Sequence, residues 1–155
     1  MGNSMHIKAG MFLCLLSIIL LGGCKEVDRD FFSDGDADTE ETQAVKGFYQ
    51  SIYRDDDLNK AKYFASERMD GLIDHYATLN GVERYVLGRY YEQVKLTIEA
   101  ESIVPYLNKK EERRVTVIFD GQYNGENVKD SRDVVLVKEK GQWRVDQILD
   151  PRYRP

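Results

Sequence analysis

Apolar residues recur at spacings of three and four through the first half of the chain. Val45, Phe48, Tyr49, Ile52 and Tyr53 form one such stripe and predict a helix. Asp38-Thr39-Glu40-Glu41 precedes it as a capping box, with Asp38 as N-cap and Glu41 at N3. Asp55-Asp56-Asp57 ends that helix and caps a short second one carrying Leu58, Ala61, Phe64 and Ala65. Ser66 caps a third, with Met69, Leu72, Ile73, Tyr76 and Leu79 on one face and Asn80-Gly81 as its stop. Val82, Tyr85 and Val86 suggest one more helical turn, which Gly88 breaks.

After Tyr91 the period changes to two. Val94, Leu96, Ile98 and Ala100 alternate with Lys95, Thr97, Glu99 and Glu101, which predicts a half-buried strand reaching towards Pro105. Val115, Val117 and Phe119 face one way on a second strand. Asn124-Gly125 marks a type I′ hairpin into a third strand, apolar on both faces from Val134 to Val137 and therefore central. Lys140-Gly141 turns into a fourth, with Trp143, Val145, Ile148 and Leu149. Three helices followed by four antiparallel strands predict an α+β fold in which the helices cover one face of a curved sheet.

Ahead of this domain, Ala9–Leu21 is an apolar run of thirteen residues behind Lys8. A membrane-spanning helix needs about twenty, so a signal h-region fits better. The run ends in Leu21-Gly22-Gly23-Cys24. Two small residues before a cysteine, with leucine third back, resemble the lipobox of bacterial lipoproteins. The resemblance implies cleavage after residue 23 and lipidation of Cys24, which then anchors the chain to a membrane. An uncleaved anchor or an ordinary signal peptide cut near Gly23 are the alternatives. Residues 1–23 thus read as signal peptide, 24–38 as a lipidated acidic tether and 39–155 as the folded domain.

Charge sharpens that division. Without residues 1–23 the chain carries 21 basic and 27 acidic residues, a net of −6, and the segment 25–41 alone holds that whole excess. Like charges keep such a spacer extended. Phe31-Phe32 is its one apolar feature, with the domain, a partner or the membrane interface as places to dock. Asp34, Asp36 and Asp38 alternate as in a calcium loop, but the sixth and twelfth positions hold Thr39 and Val45 rather than Gly and Glu. Cys14 leaves with the signal and Cys24 is the lipidation candidate, so the domain has no thiol for a disulfide or a metal. No metal site and no cofactor are expected. A neutral domain behind an acidic tether, with no basic stripe, excludes nucleic acid as a partner.

Three stretches carry a family resemblance. They are Val45–Phe64, with Asp57-Leu58-Asn59-Lys60-Ala61 closing on Tyr63-Phe64; the hairpin Arg113–Val137; and Val135-Leu136-Val137-Lys138 followed by Gly141-Gln142-Trp143-Arg144-Val145. Together they resemble the nuclear transport factor 2-like (cystatin-like) superfamily, and within it small bacterial lipoproteins of unknown function. The resemblance implies a curved sheet wrapping helices into a cone. Enzymes on this fold use Asp, His or Tyr inside the cone. Here the only histidine after the signal is His75, at the edge of the Leu72-Ile73-Tyr76 face, and its neighbour Asp74 points ~100° away around a helix. No nucleophile elbow or phosphate loop is present.

Tyrosine is the more abundant chemistry. Tyr49, Tyr53, His75, Tyr76 and Tyr85 make a candidate pocket at the mouth of a cone, with tyrosine rings capping a small core as the plainer alternative. The reading is a lipid-anchored envelope protein with a non-catalytic binding domain, for an apolar small ligand or an envelope protein. If two membranes are present, Lys25 after the cysteine favours the outer one, facing the periplasm. The alternatives are a subunit of an envelope secretion or transport complex, and a small-molecule isomerase or cyclase using His75.

Overall fold

The computed structural model describes residues 31–33, 38–107 and 111–149; the signal, Cys24 and most of the acidic tether lie outside them. Four helices come first: α1 (Glu40–Tyr53), α2 (Leu58–Tyr63), α3 (Glu67–Tyr76) and α4 (Leu79–Tyr85). Four strands follow: β1 (Gln93–Pro105), β2 (Glu112–Tyr123), β3 (Glu126–Glu139) and β4 (Gln142–Leu149). They form an antiparallel sheet in the order β1-β2-β3-β4, so the α+β class stands.

The helix count is four rather than three. Ala77 adopts a left-handed conformation, φ 53°, and closes α3 where glycine or asparagine would be usual. Thr78 then caps α4, its Oγ1 accepting from the Gly81 amide at 3.1 Å. Asn80-Gly81 therefore lies inside a helix instead of ending one. The α1 cap is also one residue later than expected. Thr39 and Thr42 form the reciprocal capping box, and Asp38 accepts from Gln43 Nε2 at 2.9 Å. Asp57 and Ser66 cap α2 and α3 as the sequence predicts.

Val45, Phe48, Tyr49 and Ile52 of α1 expose no surface. They face the side of the sheet that carries Leu96, Ile98, Val115, Val117, Phe119, Val134, Leu136 and Val145. Cross-strand register explains the grouping, since Leu96 pairs with Phe119, Ile98 with Val117, Val115 with Val134 and Leu136 with Val145. Gly47 lets α1 and α2 close up, because a Cβ there would sit 2.3 Å from Phe64 Cζ. Trp143 is buried at the acidic start of α1, between Arg113 and Lys138, which lie 5.2 and 5.4 Å from its ring centre. Those two cations also meet Glu41 at 3.9 Å and Glu40 at 3.7 Å.

Each outer edge strand of the sheet is met at one residue by a short piece of the same chain. On β4, Ser66 N donates to Val145 O and Val145 N to Phe64 O, each at 2.8 Å. On β1, Leu96 N donates to Phe31 O at 2.8 Å and Ser33 N to Leu96 O at 2.9 Å. Phe31 and Phe32 are both buried, and Lys46 Nζ lies 5.5 Å from the centre of the Phe32 ring. The apolar pair of the acidic segment thus docks on the domain. These contacts take up the backbone groups of Leu96 and Val145 on the edge strands.

Pairing is also interrupted at two bulges, between Glu99 and Val104 and at Asp146. Such bulges bend a sheet. At the second bulge Asp146 meets the start of α3, where Ser66 Oγ donates to its Oδ1 at 2.7 Å.

Replacing Phe31 or Phe32 by Ala removes a buried ring from the β1 edge and is expected to cost about 2–4 kcal/mol. Chemical denaturation of the full chain checks this. A midpoint unchanged in both variants would show that the segment does not dock.

Candidate functional site

The expected pocket residues fall into two separate groups. Tyr49 and Tyr53 belong to the interior, their rings stacked at 6.2 Å and 9°. His75, Tyr76 and Tyr85 form an outer run: His75 is exposed and edge-on to Tyr76 at 4.9 Å, and Tyr76 stacks on Tyr85 at 5.2 Å. Asp74 pairs with Lys62, not with His75. None of the five lines the cleft of about 780 Å³ beside α4.

Inside the sheet the aromatic rings leave little room. Phe119 takes Tyr49 edge-on at 5.3 Å, Tyr53 edge-on at 6.4 Å and Tyr91 stacked at 5.8 Å. Burial drives the phenols of Tyr49 and Tyr53 well above their ordinary range, and pushes Tyr91 up to about 12 with help from Asp130. These hydroxyls stay protonated at physiological pH. Tyr53 Oη donates to the Arg89 carbonyl at 2.9 Å, whereas Tyr49 Oη is buried without a partner.

A cleft of about 780 Å³ opens beside this cluster. One wall is α4 with the turn after it, contributing Leu79, Glu83, Arg84 and Tyr90; the other is the β2–β3 turn, with Tyr123 and Asn124. Asn124 and Gly125 have φ of 52° and 76°, the left-handed pair that a type I′ turn requires, and this holds Tyr123 at the rim. Tyr90 and Tyr123 are 45% and 37% exposed, so both rings are accessible.

Charge in the cleft is divided. Arg89 lies over the Tyr123 ring at 5.6 Å and 3.8 Å from Asp130, which also holds Arg132 at 2.9 Å. Arg84 lies over Tyr85 at 5.6 Å. Glu83 is different. It is only 5% exposed, lines the cleft, and its carboxyl has no hydrogen bond or ion pair among the described residues. Burial first, and the Asp56 carboxylate second, push its carboxyl up to about 7.

Sequence reasoning missed Glu83. It follows Val82 on α4 and precedes the exposed Arg84, so neighbours alone give no sign that it points inward. An acid on a short helix beside a glycine-broken turn is ordinarily solvated. Its burial arises only in the folded chain, near Tyr53 and Asp56 at the end of α1.

Among the described residues no group of three or more His, Cys, Asp or Glu is placed to hold a metal. No described helix is long and apolar enough to cross a membrane. Fold and site together define an α+β domain with an aromatic-filled interior and a mixed polar and aromatic cleft at its margin. No family model, no curated protein and no solved structure matches the chain.

Glu83 holds its proton more tightly in the folded chain than in the unfolded one, where the value is 4.5. The folded state therefore binds more protons between those values, and stability falls as pH rises from about 4.5 to about 7. Glu83→Gln removes the cost. Its melting advantage is expected to be absent near pH ~4 and to reach about 1–3 kcal/mol above pH ~7, with water in the cleft reducing it. Equal stability of the two proteins across that range would place the carboxyl in bulk solvent.

Proposed function

We propose that this chain is a lipid-anchored protein of the bacterial envelope whose nuclear transport factor 2-like domain binds a small ligand at the α4 cleft. The observation that carries the binding reading is the filled interior. Phe48, Tyr49 and Ile52 take the space in which enzymes of that fold hold substrate, and the open volume lies at the margin instead. His75 stands outside it. The element order, with helices first and an antiparallel sheet of four strands after, supports the family reading.

The anchoring reading rests on Leu21-Gly22-Gly23-Cys24 behind the apolar run. Docking of Phe31-Phe32 adds a consequence for geometry. It leaves residues 25–30 as spacer, which reach at most ~20 Å at ~3.4 Å per residue. The domain is then held close to the bilayer, with the β1 edge nearest the anchor.

Two or three acyl chains, at ~0.8 kcal/mol per buried CH₂, hold a protein almost irreversibly, and a docked Phe31-Phe32 offers no substitute. Cys24→Ser is expected to move the protein from the membrane to the soluble fraction and to abolish labelling by a fatty-acid analogue. Retention of the variant on membranes after a high-salt wash would contradict the anchoring reading.

A further inference from the structure

We propose that the α4 cleft recognises a small organic molecule through a primary ammonium group, with Glu83 as its counter-ion and Tyr90 and Tyr123 as its walls. The proposal rests on the reading of this cleft as the binding site and names its ligand class.

The starting point is an unpaired group. A buried carboxylate ordinarily has a cation or several N–H donors beside it, since its isolated charge is costly to desolvate. Glu83 has neither among the described residues. The charged and titratable groups near it do not supply one. Asp56, from the turn after α1, repels it; Tyr53 is a neutral phenol. Arg84 is drawn to Tyr85, and Arg89 to Tyr123 and Asp130. What the carboxyl lacks is a set of N–H donors, and a primary ammonium carries three. A quaternary ammonium has none to give, and a bare metal ion finds no further carboxylate, His or Cys ligands among the described residues.

The walls fit the same ligand. Tyr90 and Tyr123 are accessible rings on the two sides of the cleft, and ring faces attract cations within about 6 Å. The lean of Arg89 over Tyr123 shows that ring already facing a cation. A volume of about 780 Å³ lies within the ~300–1,000 Å³ of small-molecule sites and exceeds what an ammonium alone requires, so an organic body accompanies it. The carboxyl's raised pKa has the same origin: burial, and the like charge of Asp56, disfavour its ionised form while no cation stands beside it.

The test is calorimetric titration of the full lipidated chain in detergent at pH 8, with 1,5-diaminopentane as probe and 1,5-pentanediol as its uncharged counterpart. The diamine is expected to bind at least tenfold more tightly than the diol. Glu83→Gln, shown by its melting curve to fold, is expected to lose at least tenfold in diamine affinity, and Tyr90→Leu a smaller factor. Equal binding of diamine and diol, both weakened by Tyr90→Leu, would keep the cleft as the binding site and overturn the ammonium inference. Binding of neither would overturn both. Diamine binding that Glu83→Gln leaves unchanged would place the cation elsewhere and overturn the proposal.

Discussion

Helix α1 is the element on which the rest of the structure depends. It lies along the apolar face of a sheet bent by bulges, and its apolar residues Val45, Phe48, Tyr49 and Ile52 expose no surface at all. Its packing against α2 needs Gly47, since the Phe64 ring occupies the space a side chain would take. Its acidic first turn meets the cations that flank Trp143. At its far end Tyr49 and Tyr53 meet Phe119 and Tyr91, so one helix joins the Trp143 end of the core to the tyrosine end. Burying such rings supplies much of the apolar stabilisation that a domain of this size requires.

That filling determines where chemistry remains. With α1 and the rings of Tyr49, Tyr53, Tyr91 and Phe119 packed together on the sheet, the cleft of about 780 Å³ lies at the margin. The register of the sheet nevertheless continues past the apolar layer, and it sets Arg132 opposite Val117 and Asp130 opposite Phe119. Polar side chains thus begin where α1 stops covering the sheet. Arg89 and Tyr91 join them from the segment after α4, and Glu83 lines the cleft that opens there. The cleft is a consequence of a short helix that ends before the sheet does.

Much of this was legible in the sequence. The period of three and four from Val45 to Tyr53, the caps at Asp57 and Ser66, and the turns at Asn124-Gly125 and Lys140-Gly141 are local signals, and the structure follows them. The fourth helix was not, because Ala77 rather than a glycine closes α3, and Asn80-Gly81 looks like a stop. Of the five pocket residues, Tyr49, Tyr53 and Tyr76 lie on apolar helix faces, His75 at the edge of one and Tyr85 at the helix-to-sheet junction, which says nothing about the side to which each ring turns. Tyr49 went into the core and Tyr85 to the surface. Glu83 carries no sequence signal, since its burial arises only in the folded chain. Phe31-Phe32 stood out as an apolar pair, but its partner Leu96 is more than sixty residues away.

The central claim is that α1 fills the sheet, so that binding belongs to the margin. Native-state amide exchange of the full chain in detergent tests it most directly. The account predicts that the amides from Val45 to Ile52 exchange only through global unfolding, as slowly as those of the central strands β2 and β3. Exchange of α1 on the timescale of the loops, while β2 and β3 remain protected, would mean that the helix leaves the sheet and opens the interior to ligands.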